Sequence, residues 1–176
     1  WGTHEPHRGF EAGVRTRTRK DSAKVHVPPI FPDNDIVRSD LLDYLVEVEH
    51  FDRMVERAMA SLEKTGQLDN TIIVVTSDHG MPFPRAKASL YDDGSRVPLA
   101  IRWPGGIRNP GRTVDGLVNL SDLAPTFLEA VGLKVPGMMT ARSLKDVFAN
   151  KPSPHHDAAF IAMERHDGCR KGGKGY

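Results

Sequence analysis

Asp78 and His79, a carboxylate and an imidazole side by side, directly follow a short apolar segment, and Lys87 comes nine residues after Asp78. Carboxylates and imidazoles are common ligands of divalent metals, and a lysine ammonium is a compact charge suited to a tetrahedral oxyanion. Pro82 and Pro84 exclude a helix from the intervening loop. These residue types at this spacing predict a site that binds an anion beside a metal ion.

Two predicted elements position this site. Residues 72–75 are apolar and mostly β-branched and do not alternate with polar residues, which is typical of a strand buried on both faces of a parallel sheet. In open α/β sheets ligands bind at the carboxyl ends of the strands, where residues 77–80 would lie. Apolar residues at three- and four-residue spacing predict a preceding helix over 39–65, capped by Ser39 and ended by Gly66.

The rest of the chain alternates between the two kinds of element, which predicts the α/β class. Further strands are predicted at 97–103, 113–118 and 158–163, and further helices at 121–131, capped by Ser121, and at 141–148. Asp92 and Asp93 are interpreted as turn residues rather than metal ligands. His155 and His156 lie in a polar linker and are interpreted as solvated side chains.

Composition narrows the classes of partner. The 176 residues can bury one substantial core, and a net charge of +1 gives no general attraction to nucleic acid or membrane surfaces. The sequence contains no apolar run near the roughly 20 residues of a membrane span. Cys169 is the single cysteine, so an intrachain disulfide is excluded. We therefore expect neither nucleic-acid binding nor a membrane span.

The segment TSDHG, followed by Lys87 and by LYDDGSRVPL, resembles the sulfatase family of the alkaline-phosphatase-like superfamily. The run GMPFPRAK resembles the branch that contains the heparan N-sulfatases, or sulfamidases. The resemblance implies an α/β, alkaline-phosphatase-like fold, a mainly parallel sheet sandwiched by helices, of which this chain would be a part. Residues 1–150 would be the C-terminal half of the catalytic domain, and residues 151–176 the start of a smaller C-terminal subdomain.

The same resemblance implies roles for seven side chains. Asp78 and His79 would be metal ligands. Lys87 and His4 would be catalytic, with Lys87 on the sulfate and His4 on the leaving group. The three remaining side chains would contact substrate: His7, Arg85 and His166. His4 matches the histidine of the family's H-x-P motif, while His7 and Arg8 fit the sulfamidase variant HDPHR. A histidine of near-neutral pKa in general can protonate a departing oxygen or nitrogen.

Sulfatases hydrolyse sulfate esters or sulfamates with a formylglycine that is made from Cys or Ser within C/S-x-P/A-x-R. Cys169 precedes Arg-Lys-Gly-Gly and does not fit. We therefore expect the formylglycine and two further metal aspartates upstream of Trp1, and interpret the chain as an internal fragment that is inactive alone. Ca²⁺ is the expected cation because hard oxygen sites suit it, whereas the imidazole of His79 keeps Mn²⁺ or Zn²⁺ open.

The expected function is hydrolysis of sulfate esters or sulfamates, with a sulfated glycan or another sulfated small molecule as substrate. A phosphodiesterase or phosphonate monoester hydrolase of the same superfamily is one alternative, because such hydrolases also carry Asp-His. A non-catalytic, polysaccharide-binding homologue is another, with residues 15–20 (RTRTRK) as the binding strip, although a solvated loop is the favoured interpretation of that strip. The resemblance implies that the protein is secreted or periplasmic, as members of the family usually are, although no signal peptide is visible in the chain.

Overall fold

The computed structural model describes residues 2–10, 18–151, 155–162, 170–171 and 174–175. The chain divides into two compact units. Unit 1 comprises Trp1–Leu68, Thr76–Pro98 and Met163–Tyr176, and unit 2 comprises Asp69–Val75 and Leu99–Ala162. The boundary expected near residue 150 stays a prediction.

Helix α1 (Asp35–Lys64) is the longest element described and lies in unit 1. It begins four residues before the predicted start, because the side chain of Asn34 accepts a hydrogen bond from the Val37 backbone N–H. The prediction that Ser39 caps the helix is therefore wrong. The predicted end is correct to one residue, and Gly66 adopts the expected left-handed backbone with φ of 69°.

An aromatic cluster in unit 1 joins α1 to the segments that carry the predicted site. Phe83 is buried together with Leu41 of α1, and the ring of Tyr44 lies edge-on to Phe83 with centroids 5.5 Å apart. Phe10 lies 6.2 Å from the Phe83 ring. Burying these rings removes apolar surface from water and fixes both loops against one helix face.

Strand β1 (Ile73–Thr76) begins one residue later than predicted and pairs with β2 (Leu99–Arg102). Between them lies the single-turn helix α2 (Asp92–Ser95), where a turn was predicted. All four residues of β1 are half-buried, so the expected burial on both faces is not met within the described residues. Among those residues β1 has one neighbouring strand, which leaves its other edge without strand cover.

Unit 2 contains α3 (Leu123–Ala130) and α4 (Lys145–Phe148). Leu120–Asp122 forms a 3₁₀ turn before α3, and its cap is Asn119 rather than the predicted Ser121. The side chain of Asn119 accepts from the Ser121 N–H, while the carboxylate of Asp122 accepts from the Asn119 N–H. This reciprocal capping box explains why the element begins before the predicted residue.

Two predicted strands are not formed in the described residues. Residues 113–118 and 158–162 have no strand partner there, whereas Met163 lies outside the described residues. The remaining strands, β3 (Arg170–Lys171) and β4 (Lys174–Gly175), form a short antiparallel pair. Local composition alone was therefore insufficient, because a strand also needs a neighbour for its backbone hydrogen bonds.

Candidate active site

The loop after β1 is held by backbone contacts that require a glycine. The Gly80 N–H donates to the Gly94 carbonyl at 3.0 Å, and the Ser77 hydroxyl donates to the His79 carbonyl at 2.7 Å. A Cβ atom at position 80 would lie 1.7 Å from the Asp93 carbonyl oxygen. The close approach of residues 80 and 93–94 therefore sets how the chain leaves β1 and where Asp78 and His79 stand.

Asp78 and His79 have the geometry of two ligands for one cation. The Asp78 Oδ2 and His79 Nε2 atoms are 3.5 Å apart, and the Asp78 side chain is 84% exposed. His79 Nδ1 lies 2.8 Å from the Gly80 carbonyl, which can only accept, so Nδ1 carries the proton and Nε2 bears the lone pair in the neutral ring. A carbonyl that orients the distal nitrogen is typical of metal-bound histidines. This donor set fits a divalent cation.

Lys87 and His7 are brought together from positions 80 residues apart. The Lys87 backbone N–H donates to the carbonyls of Met81 and Phe83, which turns the loop back on itself next to the buried Phe83. Lys87 Nζ then donates to His7 Nε2 at 3.0 Å, while His7 Nδ1 donates to the Arg8 carbonyl at 2.8 Å. The two bonds require one tautomer of His7, with its proton on Nδ1 and its lone pair facing Lys87.

The other predicted site residues have different surroundings. His4 is exposed, and its backbone carbonyl accepts from the His7 N–H at 2.8 Å. The Arg85 guanidinium lies 5.9 Å from the centre of the Tyr91 ring. His166 lies outside the described residues. The substrate-contact roles of Arg85 and His166 and the leaving-group role of His4 stay predictions.

Arg8 is a positioning residue to which the sequence assigned no role. Its guanidinium makes two hydrogen bonds to the Asp40 carboxylate, at 2.8 and 3.1 Å, and a third to the Pro82 carbonyl at 3.0 Å. It also stacks 4.8 Å from the centre of the Phe83 ring. Arg8 thereby fastens the segment that carries His7 to the loop that carries Lys87. The only signal for this in the sequence is the adjacency of Arg8 and His7, because Asp40 is 32 residues away.

His155 and His156 are not both solvated, which corrects the interpretation of this linker. The His155 side chain is 2% exposed and that of His156 is 26% exposed. Both Nε2 atoms lie against Oδ2 of the buried Asp122, at 3.2 and 2.8 Å. The polarity of the linker was misleading because its histidines have a buried carboxylate as partner.

The Asp122 carboxyl is held in its charged form. Burial raises its pKa, but hydrogen bonds from the backbone of Asn119 and Arg142, together with the hydrogen bond and charge of His156, outweigh burial and leave the pKa below the ordinary value. The carboxylate therefore accepts donors from three separate parts of unit 2.

Comparison with known proteins gives the family of the chain. The family model described as Sulfatase matches residues 1–133. N-acetylglucosamine-6-O-sulfatase of Bacteroides thetaiotaomicron is 37% identical over 144 residues, which cover 73% of this chain and 26% of that protein. N-sulphoglucosamine sulphohydrolase of Homo sapiens is 30% identical over 141 residues, which cover 75% of this chain and 28% of that protein. The chain spans about a quarter of the length of the curated relatives it matches.

Solved structures give the same fold. A protein in complex with its substrate D-glucosamine-2-N,6-O-disulfate superposes with a TM-score of 0.66 at 32% identity, over 77% of this chain and 30% of that one. A phosphonate monoester hydrolase from Silicibacter pomeroyi superposes with a TM-score of 0.58 at 32% identity, over 78% of this chain and 28% of that one. The expected α/β, alkaline-phosphatase-like fold is confirmed, as a partial domain. A family match over 133 of 176 residues places the chain in the sulfatase family.

Proposed function

We propose that this protein is a hydrolase of sulfate esters or sulfamates that acts on sulfated glycans. The observation that carries the proposal is the contact between Lys87, predicted to bind sulfate, and His7, predicted to contact substrate. The two side chains come from distant segments of one unit. The names of the relatives support the substrate class, since two of them act on glucosamine derivatives and a third is called an ulvan-active sulfatase.

Asp78 and His79 are the residues that would hold the divalent metal that the family implies. A bound cation would supply positive charge that polarises the sulfate group. Ca²⁺ is the proposed ion, and Mn²⁺ is the alternative because His79 offers nitrogen rather than oxygen. The formylglycine nucleophile is not among the residues of this chain.

Lys87 can bind sulfate without giving up His7. An ammonium group has three N–H donors, and the contact with His7 uses one. The other two can donate to sulfate oxygens and stabilise the charge that develops on them. His7 Nε2 can take up a proton only once Lys87 has turned that N–H toward sulfate, because a protonated Nε2 no longer accepts a hydrogen bond. The imidazolium would then lie next to the same sulfate and could give its proton to the departing oxygen or nitrogen. We therefore propose His7, beside the His4 of the H-x-P motif, as a candidate for the leaving-group histidine.

The test is turnover of the purified full-length protein on an aryl sulfate, on glucosamine N-sulfate and on glucosamine 6-sulfate. Lys87→Ala should lower kcat/KM by about 100-fold or more, as loss of an oxyanion donor does. Lys64→Ala is the matched control, because Lys64 lies in the last turn of α1 and has no predicted role. Turnover unchanged by Lys87→Ala would contradict the proposed site.

A phosphonate monoester hydrolase is the second candidate, favoured by His79 and by the structural match to such an enzyme. The same preparation should be assayed on an aryl phosphonate monoester. A kcat/KM higher for the phosphonate than for every sulfate tested would replace the first proposal. Heparin binding that survives Lys87→Ala, with no turnover of any ester, would instead support a polysaccharide-binding homologue.

The location of the protein is also a proposal. One relative is called an extracellular sulfatase, which supports secretion or the periplasm. Among the described helices, none is both long enough and apolar enough to cross a membrane.

A further inference from the structure

Asp122, His155 and His156 bring three potential metal ligands to one point in unit 2. Their carboxylate oxygen and ring nitrogens all lie within 4.8 Å of one another. The two Nε2 atoms are 3.2 and 2.8 Å from Asp122 Oδ2, separations that resemble those between neighbouring ligands of one ion. The cluster shares no residue with the Asp78–His79 pair, which lies in unit 1.

Asp122 Oδ2 faces three donors. It accepts the Asn119 N–H at 2.9 Å and faces both imidazoles, whereas Oδ1 accepts the Arg142 N–H at 3.1 Å. The proton on His155 Nε2 is shared, because the Arg142 carbonyl lies 3.1 Å from the same nitrogen. A cation in place of the two Nε2 protons would keep both backbone bonds to Asp122 and convert the two ring nitrogens into ligands.

The surroundings allow an ion to enter and to be held. His156 and Asp122 line a cavity of about 680 Å³ within unit 2, and the Arg142 carbonyl, 3.1 Å from His155 Nε2, could provide a further oxygen. The Arg142 guanidinium donates to the His155 carbonyl at 2.6 Å, which fixes the histidine segment in place before any metal binds. Two imidazoles and a carboxylate suit Zn²⁺ better than Ca²⁺.

We propose that Asp122, His155 and His156 form a second divalent-metal site, selective for Zn²⁺ or a similar transition metal, that fastens the segment after residue 154 to the start of α3. The site is structural, and it is independent of the metal bound by Asp78 and His79. Zn²⁺ would replace a hydrogen-bonded cluster by direct bonds between the same three side chains.

The test measures Zn²⁺ binding to the full-length protein in an Asp78→Asn, His79→Asn background, which removes the other metal pair. Competition with a chromophoric chelator should give one Zn²⁺ at the cluster. His156→Ala should remove that equivalent or weaken it by 10-fold or more, whereas His50→Ala, at an exposed position on α1, should leave it unchanged. Added Zn²⁺ should raise the Tm of the background protein but not that of the His156→Ala protein.

A second measurement avoids any loss of folding in the variants. Crystals of the unmutated protein soaked in Zn²⁺ should show anomalous density at the zinc edge between the carboxylate and the two rings. A Zn²⁺ equivalent that persists in His156→Ala, or density confined to Asp78 and His79, would overturn the proposal. A fall in Tm of His156→Ala with no dependence on Zn²⁺ would show a cluster held by hydrogen bonds alone, and would also overturn it.

Discussion

Lys87 Nζ donates one N–H to a histidine whose tautomer is set by its own backbone contact. His7 therefore presents a lone pair to the ammonium, whereas His4 contributes a backbone carbonyl to the same segment. Both histidines are exposed, so neither is needed to complete a core. Because His7 acts through its side chain and His4 makes its described contact through its backbone, we expect substitutions of the two histidines to lower activity by different amounts.

We predict that His7→Ala lowers kcat/KM by about 100-fold, because it removes both the acceptor for Lys87 and the proposed proton carrier. His4→Gln should cost more than this if His4 protonates the leaving group, and about 10-fold or less if it acts through its backbone. The measurement is kcat/KM with aryl sulfates whose leaving groups differ in pKa. Loss at His7 that does not depend on the leaving group would assign it to sulfate binding alone.

Gly80→Ala should both destabilise the protein and impair the site. The added methyl group would meet the Asp93 carbonyl, a backbone atom that cannot turn aside. We expect Tm to fall by about 5 °C or more, with a loss of activity that added metal only partly restores. Gly137→Ala is the control, because a Cβ atom there meets nothing within 4 Å. Equal effects of the two substitutions would contradict the steric argument.

At the scale of elements, the site depends on how α1 receives the segment of residues 4–10. Asp40 of α1 binds Arg8, and the Phe83 ring packs against Leu41 and Tyr44 of the same helix. One helix face therefore positions both loops that carry the side chains proposed to bind the anion. The Arg8–Asp40 pair is partly exposed, with side-chain exposures of 47% and 38%, so its role is alignment more than stability.

Arg8→Lys tests this alignment. Lysine keeps the charge but cannot make the paired bonds to Asp40 or stack in the same way on Phe83. We expect kcat/KM to fall by about 10-fold, while Tm changes by about 3 °C or less. Arg53→Lys on α1, whose contact with Glu49 is 3.9 Å long, serves as the control. A large Tm loss with unchanged kcat/KM would assign Arg8 to folding instead.

A second feature of α1 is an unfavourable carboxylate. Burial of Asp43, together with the charges of Asp40 and Glu47, raises its pKa, and its buried Oδ1 has no hydrogen-bond partner in the part of the chain that the structure describes. A carboxyl of raised pKa weakens the fold when ionised. Asp43→Asn should therefore raise Tm at pH 7 by about 2 °C, and the gain should shrink as pH falls toward the pKa of Asp43.

Asp52→Asn, at an exposed position on the same helix, controls for the change in net charge. A Tm at pH 7 that rises equally in both variants would show that general charge, rather than the surroundings of Asp43, is responsible.

At the scale of the whole molecule, one unit has an apolar centre and the other a polar one. Unit 1 is organised around an aromatic cluster, and unit 2 contains the buried carboxylate of Asp122 with its histidine and backbone donors. Asp122 also holds the capping box that begins α3. The stability of unit 2 should therefore depend on the charge of Asp122.

The direction of that dependence follows from the lowered pKa of Asp122. The stabilisation is fully present above the unfolded carboxyl pKa of about 3.9 and is lost as pH falls through the lower folded pKa. Tm measured between neutral and acidic pH should therefore show a steeper acid loss in the unmutated protein than in Asp122→Asn. Asp157→Asn, at an exposed position, should retain the steep loss. Identical profiles for all three proteins would contradict the assignment.

Sequence patterns predicted the elements that depend on residues close together in the chain. The sequence already showed the apolar run of β1, the periodicity of α1 and the end of α1 at Gly66. The helix starts were predicted wrongly. Asn34 and Asn119 are the actual caps, but Ser39 and Ser121 are equally suitable residue types, and the sequence does not show which side chain reaches the backbone N–H groups. Residues 113–118 have strand-like composition but no neighbour in the described residues, which composition cannot reveal.

The site was predictable as residue types but not as contacts. The proposed metal ligands Asp78 and His79 were predicted from their adjacency in the sequence, and Lys87 was predicted from its spacing. The contact of Lys87 with His7 and that of Asp122 with His155 depend on packing between segments that are 80 and 33 residues apart. Such pairings are set by tertiary structure, and no local pattern specifies them.

The hydrogen bond between Lys87 and His7 also matters when the polypeptide is split into two pieces. A cut between residues 10 and 34, ahead of α1, would place His7 and Lys87 on different polypeptides, so neither piece alone would hold both side chains of the proposed anion site. Reassociation of the two pieces would restore the contact only when the His7 segment docks on α1, since Asp40 and the Phe83 cluster align both segments. In the full-length protein, turnover recovered in a split-protein complementation assay would therefore report correct docking.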